Sequence, residues 1–251
     1  MYDSIFLILC IFLLAGTIKG VVGIGLPTAS ISMLTQLDLV AMPQAAVALI
    51  IFPAMLSNAW QVYRTGDILR TAKRFWPFLV IMLGLLWLCA RISTAIPEIA
   101  FLAILGCSIA LFALTSLFVH PPVLPERFDR PVQVLAGGLS GIMGGLTGIW
   151  SPPMVIYFLS IRLAKDDFVR ASGFIIFFGT IPLFLGFWQN GLMTGTLALT
   201  SLGMTIPVLA GFTLGEIIRR KLDGVRFQKV LLVIFLLMGL NLIRRAIMLM
   251  L

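Results

Sequence analysis

The sequence predicts an all-α integral membrane protein made of two inverted repeats, each a re-entrant glycine-rich helical hairpin followed by three transmembrane helices. Three observations predict this. Apolar runs recur from end to end; two of them are overlong and interrupted in the middle; and the basic loops share one side only if those two runs turn back. Of the 251 residues, 60% are hydrophobic and 11% charged, with a mean hydropathy of +1.10, whereas soluble domains are roughly half apolar and a quarter charged. The runs do not alternate polar with apolar, which excludes a β-barrel.

The first run, 4–35, contains GTIKGVVGIGLP, with four glycines, a lysine and a proline where the bilayer centre should lie. Glycine costs a helix interior about 1 kcal/mol and proline about 3 kcal/mol, and lipid supplies no water for freed backbone groups. Split at this break, the run gives arms of about 10–15 residues, or roughly 15–22 Å of helix, too short for a ~30 Å core and suited to a hairpin. Ordinary helices are expected at 39–62, 75–92 and 97–119, completing a first repeat over 1–119. Residues 120–130, HPPVLPERFDR, read as a cytoplasmic linker. The second repeat, 131–251, opens with a broken run at 131–161, again a hairpin, followed by helices at 166–189, 192–217 and 227–243.

The two broken runs match in register. Gly16 and Gly141, Gly20 and Gly145, Gly23 and Gly148, and Pro27 and Pro152 are each 125 apart (for example 141 − 16). After a three-residue insertion, Asp38 matches Asp166, and Trp60-Gln61 matches Trp188-Gln189.

Basic residues orient the halves. They cluster at Arg64, Arg70, Lys73 and Arg74, at Arg127 and Arg130, at Arg162, Lys165 and Arg170, and at Arg219, Arg220, Lys221, Arg226 and Lys229. If all eight runs crossed, these clusters would fall on both sides, against the positive-inside rule. With two hairpins, all four lie on the cytoplasmic side. Arg91, Arg244 and Arg245 are left on the far side, and the Arg244-Arg245 pair is expected to snorkel from a helix end. The net charge of +8 is therefore assigned to cytoplasmic loops and not to nucleic acid. The acidic N-terminus MYDSIFLILCIFLL has no basic n-region and reads as retained structure. Cys10, Cys89 and Cys107 lack metal spacing and read as packing residues; no metal and no cofactor is expected, and His120 is expected to be inert.

GTIKGVVGIGLP and GGLSGIMGGLTGIWSPP carry a resemblance to the TauE/SafE family of sulfite and organosulfonate exporters, and the similar layout extends over essentially the whole chain. Leu26 and Ser151-Pro152-Pro153 stand where many relatives carry further glycines. The resemblance implies a multi-pass secondary transporter of the cell inner membrane that exports sulfite or an organosulfonate such as sulfoacetate by alternating access. The rival readings are a transporter or channel for another small anion, and an intramembrane enzyme, for which one histidine and no mid-span acid leave little chemistry. The same lack of a mid-span acid supports export. An anion leaving an inside-negative cell gains about 2.3 kcal/mol per charge per 100 mV and needs no proton relay. The expected partners are a small anionic substrate and the lipid bilayer, with a homodimer as the assembly to test.

The expected site lies at the two breaks. Lys19 is the one basic residue deep in an apolar run, and it reads either as an anion ligand or as a cap on hairpin carbonyls. Gly20, Gly23, Gly25, Gly145 and Gly148 serve either as backbone N–H donors to an anion or as close packing surfaces. Thr28, Thr147 and Ser151 offer hydroxyls to a substrate or to their own helices. Trp150 walls the cavity or faces lipid, and Asn58 is a deep polar candidate. Trp60-Gln61 and Trp188-Gln189 read as interfacial anchors near span ends on the far side.

Overall fold

The computed structural model describes every residue except 1, 41, 119–120, 220–223 and 251, so the expectations for His120, Arg220 and Lys221 lie outside the described residues. Most of the described residues are helical, and none of them lies in a strand. The helices are α1 (Tyr2–Val22), α2 (Leu26–Gln36), α3 (Pro43–Thr65), α4 (Ile68–Ile92), α5 (Glu98–Phe118), α6 (Asp129–Thr147), α7 (Ser151–Ser160), α8 (Lys165–Gln189), α9 (Gly195–Gly203), α10 (Thr205–Arg219) and α11 (Gly224–Met248).

Seven stretches among the described residues are long and apolar enough to cross a membrane: Ile5–Val22, Pro43–Thr65, Ile68–Ala95, Glu98–Phe118, Asp166–Gln189, Gly195–Ile218 and Lys229–Met248. The chain is a multi-pass membrane protein. Six of these stretches correspond to the six ordinary spans of the sequence reading. The seventh is α1, and it corrects the expected arm lengths. With 21 residues α1 is about 31 Å long, and α6 with 19 is about 28 Å; only α2 and α7, with 11 and 10 residues, have the expected short length.

The physical reason is that most of the glycines do not break helices. Gly16 and Gly20 stay helical in α1 and press against the α10 backbone at Val208, Phe212 and Gly215. Gly137, Gly141 and Gly145 do the same in α6 against Phe78, Met82 and Leu86 of α4. Without Cβ atoms these faces let two backbones touch, which is how helices associate in lipid. Within the two overlong runs the helices break where φ turns positive, at Gly23 (89°) and Gly25 (101°) in the first and at Gly148 (74°) in the second. Each short arm then restarts with proline at its first turn, where the missing N–H costs nothing.

Other bounds shift as well. α4 starts at Ile68, with a kink at Phe75 just before Pro77. The expected helix 192–217 is two helices that meet at Met204. α11 extends to Met248.

Long-range pairing runs between the halves: α1 lies along α10, α6 along α4, α3 along α8 and α5 along α11. At one end of the bundle Arg170 Nε donates to the Thr65 carbonyl (3.2 Å), Arg74 pairs with Asp129, and Arg64 pairs with Glu216 (2.8 Å). Three basic regions distant in sequence thus gather at that end. At the other end Asn190 Nδ2 donates to the Ala90 carbonyl (3.0 Å) and Gln44 to that of Ser93 (3.4 Å). Arg244 and Arg245 do not simply snorkel. Arg245 bonds Asp38 Oδ1 (2.8 Å) and the Thr35 carbonyl (2.9 Å), closing the C-terminus of α2, and Arg244 Nε bonds Asn241 Oδ1 (3.2 Å). Cys89 is buried, Cys10 half-buried and Cys107 exposed, all three free thiols.

Candidate functional site: a lysine in the interior

Lys19 sits one turn before the first break and is only 2% exposed. Its Nζ donates to Ser57 Oγ (2.8 Å) and stands 5.7 Å from the Phe212 ring centroid. It forms no ion pair with any described residue. Burying a cation beside a neutral hydroxyl alone is costly. Pro53 sets the geometry on the α3 side. It removes a backbone donor, and Ser201 Oγ of α9 bonds the Leu49 carbonyl left free (2.8 Å). One turn later Ser57 and Asn58 both bond the Ala54 carbonyl, at 3.3 and 2.7 Å. The Asn58 side-chain oxygen is buried with no hydrogen-bond partner.

A cavity of about 200 Å³ opens beside Lys19, lined by Gly20, Gly23, Gln61, Arg64, Phe212 and Glu216 among others. Drug-sized ligand sites run to ~300–1,000 Å³; this one has the scale of a small ion. The half-exposed Arg64–Glu216 pair stands at its mouth. Gln61 does not anchor the chain at the far side as expected. It lies at the Arg64 end of α3, and its Nε2 donates to the Val169 carbonyl (2.7 Å). Gly23 faces α8, and a Cβ placed there would lie 3.7 Å from Val169 Cγ2.

The second break assembles elsewhere. A Cβ on Gly148 would come within 2.6 Å of Val47 Cγ1 on α3 and 3.1 Å of Ile31 Cδ1 on α2. Thr147 Oγ1 donates to the Met143 carbonyl (2.8 Å) and receives the Ile149 N–H (3.3 Å), so its hydroxyl serves its own helix end. Trp150 is buried against Gly144 and Gly179 and faces no lipid. Ser151 is buried in the first turn of α7. Gly145 is a packing surface on α4, and Gly25 lies against Ile18 and Phe235. Thr28 is buried in α2, its hydroxyl without a partner.

Lys19, Gly20 and Gly23 therefore share one cavity and Thr147, Gly148, Trp150 and Ser151 lie together at the second break, while Asn58, next to Ser57 in α3, bonds only its own helix and does not line the cavity. The level of the first is marked on α3 by Ser57, that of the second by Val47, ten residues away (57 − 47), or about 15 Å. The breaks do not meet tip to tip, because each first arm is long enough to carry its break past the middle. Sequence reasoning missed Ser57, Gln61, Arg64, Phe212 and Glu216 as residues around Lys19 and its cavity. The signal was available in α3, where Ser57, Gln61 and Arg64 recur at intervals of four and three and so share one face of an apolar helix.

No curated protein and no solved structure matches the chain. The family model described as Sulfite exporter TauE/SafE matches residues 8–242, which takes in both breaks, Lys19 and every helix that walls its cavity, and the chain belongs to that family.

Proposed function

We propose that the chain is a secondary transporter of the inner membrane that exports a small sulfur-containing anion by alternating access, with Lys19 as the central ligand. Membership of a sulfite-exporter family supports the transport reading and the sulfur-anion class. The observation that carries the site is the buried Lys19 ammonium, bonded to a neutral hydroxyl and facing a small cavity with Arg64 at its mouth. An oxyanion there gains a charge-assisted hydrogen bond in a low-dielectric setting, and the Gln61 side chain lines the same cavity.

The cavity opens at the end where the basic loops gather, which the positive-inside rule makes cytoplasmic. An anion from the cytoplasm would pass Arg64 and Glu216 to reach Lys19. Beyond it the packed Ile31, Val47, Gly148 and Trp150 close the path. Transport requires this second layer to open while the first closes. Two inverted repeats with broken helices make such an exchange symmetric. Contacts between the halves support them: Gly23 of the first half faces Val169 near the start of α8, and Gly148 of the second faces Val47 near the start of α3, so each break faces the helix that follows the other half's broken run. The reversal of α7 has its own support, since Tyr157 near its end donates to Asp129 at the start of α6 (2.8 Å).

The test is flux from proteoliposomes loaded with sulfite, a sulfonate or a carboxylate of matched size. Saturable, potential-driven efflux of the sulfur anions is expected. Equal, non-saturating efflux of all three would contradict a carrier.

A further inference from the structure

Among the described residues, three charged side chains line the Lys19 cavity: Lys19 itself, Arg64 and Glu216. Arg64 and Glu216 cancel each other, since Nη1 of Arg64 donates to both carboxylate oxygens, at 2.8 and 3.1 Å. Their helices hold both on the cavity side. Arg64 continues the Ser57–Gln61 face of α3, and Glu216 stands one turn beyond Phe212 on α10. A neighbouring cation, Arg170, is engaged by Asp167 (2.8 Å) and by the carbonyl of Thr65, another wall residue (3.2 Å). The Lys19 ammonium, buried against a neutral hydroxyl, is left as the one charge of this group without a counter-charge.

We infer that the site selects a singly charged oxyanion, such as a sulfonate or hydrogensulfite, over a doubly charged one such as sulfate, and that Glu216 enforces the choice. This rests on the reading of Lys19 as the anion ligand and narrows the substrate class by charge. One negative charge neutralises the Lys19 ammonium. A second would be buried without a partner in a hollow of about 200 Å³, which is costly. It would also face the Glu216 carboxylate at the mouth, and like charges repel more strongly as the local dielectric falls. Arg64 offers the second charge little, because its guanidinium is already engaged by Glu216.

Binding titrations with methanesulfonate and sulfate, at one ionic strength and neutral pH on the purified full chain in nanodiscs, test this. Both are tetrahedral sulfur oxyanions of similar size, and they differ in charge. Wild type should prefer methanesulfonate. Dehydration alone also disfavours a dianion, so the deciding readout is how the affinity ratio changes. Glu216→Gln removes the opposing charge and frees Arg64. The methanesulfonate-to-sulfate ratio should then fall roughly two- to thirty-fold, the range for one unit-charge interaction across about 8 Å between bulk water and a protein-like dielectric. Arg64→Gln/Glu216→Gln, which returns the cavity to a single positive charge, should restore the wild-type ratio, and Glu216→Asp should keep it. The pair is half-exposed, so these variants should fold. An unchanged ratio in Glu216→Gln, or a fall that persists in the double variant, would overturn the inference and leave the anion site standing. A wild type that prefers sulfate would overturn it too. Binding of neither anion would remove the anion reading, and this inference with it.

Discussion

A single methyl group on Gly20 tests how the Lys19 cavity is built. The Cβ of Gly20→Ala would run into the Phe212 carbonyl and lie 2.9 Å from the Gly215 Cα, both backbone atoms that cannot rotate away. Ordinary contact begins at 3.4 Å, so α10 must retreat by at least 0.5 Å (3.4 − 2.9) and carry Phe212 and Glu216 with it. Overpacking of this kind costs ~1–3 kcal/mol, while alanine in place of helical glycine returns about 0.5–1 kcal/mol. Gly84→Ala is the matched control, because Gly84 is also mid-helix and has nothing within 4 Å of its added Cβ. Gly84→Ala should gain the propensity term alone. The two variants should therefore differ by ~1–3 kcal/mol, which at roughly 2–4 °C per kcal/mol is a clear gap in melting temperature. The assay is thermal unfolding of the purified proteins in one detergent, with anion affinity measured alongside. A Gly20→Ala protein as stable as Gly84→Ala, with unchanged affinity, would refute the close α1–α10 contact and its part in shaping the cavity.

Gly148→Ala and Gly23→Ala share the strain of a positive φ, about 1–2 kcal/mol, but only Gly148→Ala also meets a side chain within 2.6 Å. It should be the more destabilised of the pair in the same unfolding assay. Asp129 gives a pH dependence. Burial raises its carboxyl pKa, but hydrogen bonds from Arg74, Tyr157 and Gln133 outweigh burial and hold it below the ordinary 3.8. A carboxyl depressed in the folded state stabilises fully above its unfolded value and ceases to do so as pH falls through the folded one. Wild type should therefore melt above Asp129→Asn at pH 6, with the gap closing below pH 3.8. A gap independent of pH would contradict the assignment.

The spans were legible because lipid demands long apolar runs, and six of the seven candidate stretches overlap the expected ordinary spans, although the one expected at 75–92 begins at Ile68. The break points were legible in glycine followed closely by proline, Gly23 and Gly25 before Pro27 and Gly148 before Pro152, and at these glycines φ is positive. Arm length was not, because a glycine that breaks a helix and one that packs against another helix look alike in sequence. Gly16, Gly20 and Gly145 are of the second kind, as their contacts with α10 and α4 show. Tertiary pairing hid the rest. Arg245 looked misplaced until Asp38, 207 residues away, supplied its partner. Glu216 lines the cavity paired with Arg64, its partner 152 residues away. Lys19 drew notice from cost alone, because an intramembrane lysine is expensive, and the structure places it beside Ser57 and a small cavity.

The central claim is that Lys19 holds the anion, and binding to Lys19→Met and Lys19→Arg tests it most directly. Titration of purified wild type with a sulfonate, a matched carboxylate and a neutral analogue should rank the sulfonate first and the neutral compound last. Lys19→Met should lose ~1.5–3 kcal/mol of sulfonate binding, the worth of a hydrogen bond to a charged group, or about 10- to 150-fold in affinity. Lys19→Arg should retain part of it, because the charge survives and the geometry changes. Undiminished sulfonate affinity in a folded Lys19→Met protein, or equal affinity for all three ligands in wild type, would contradict the account.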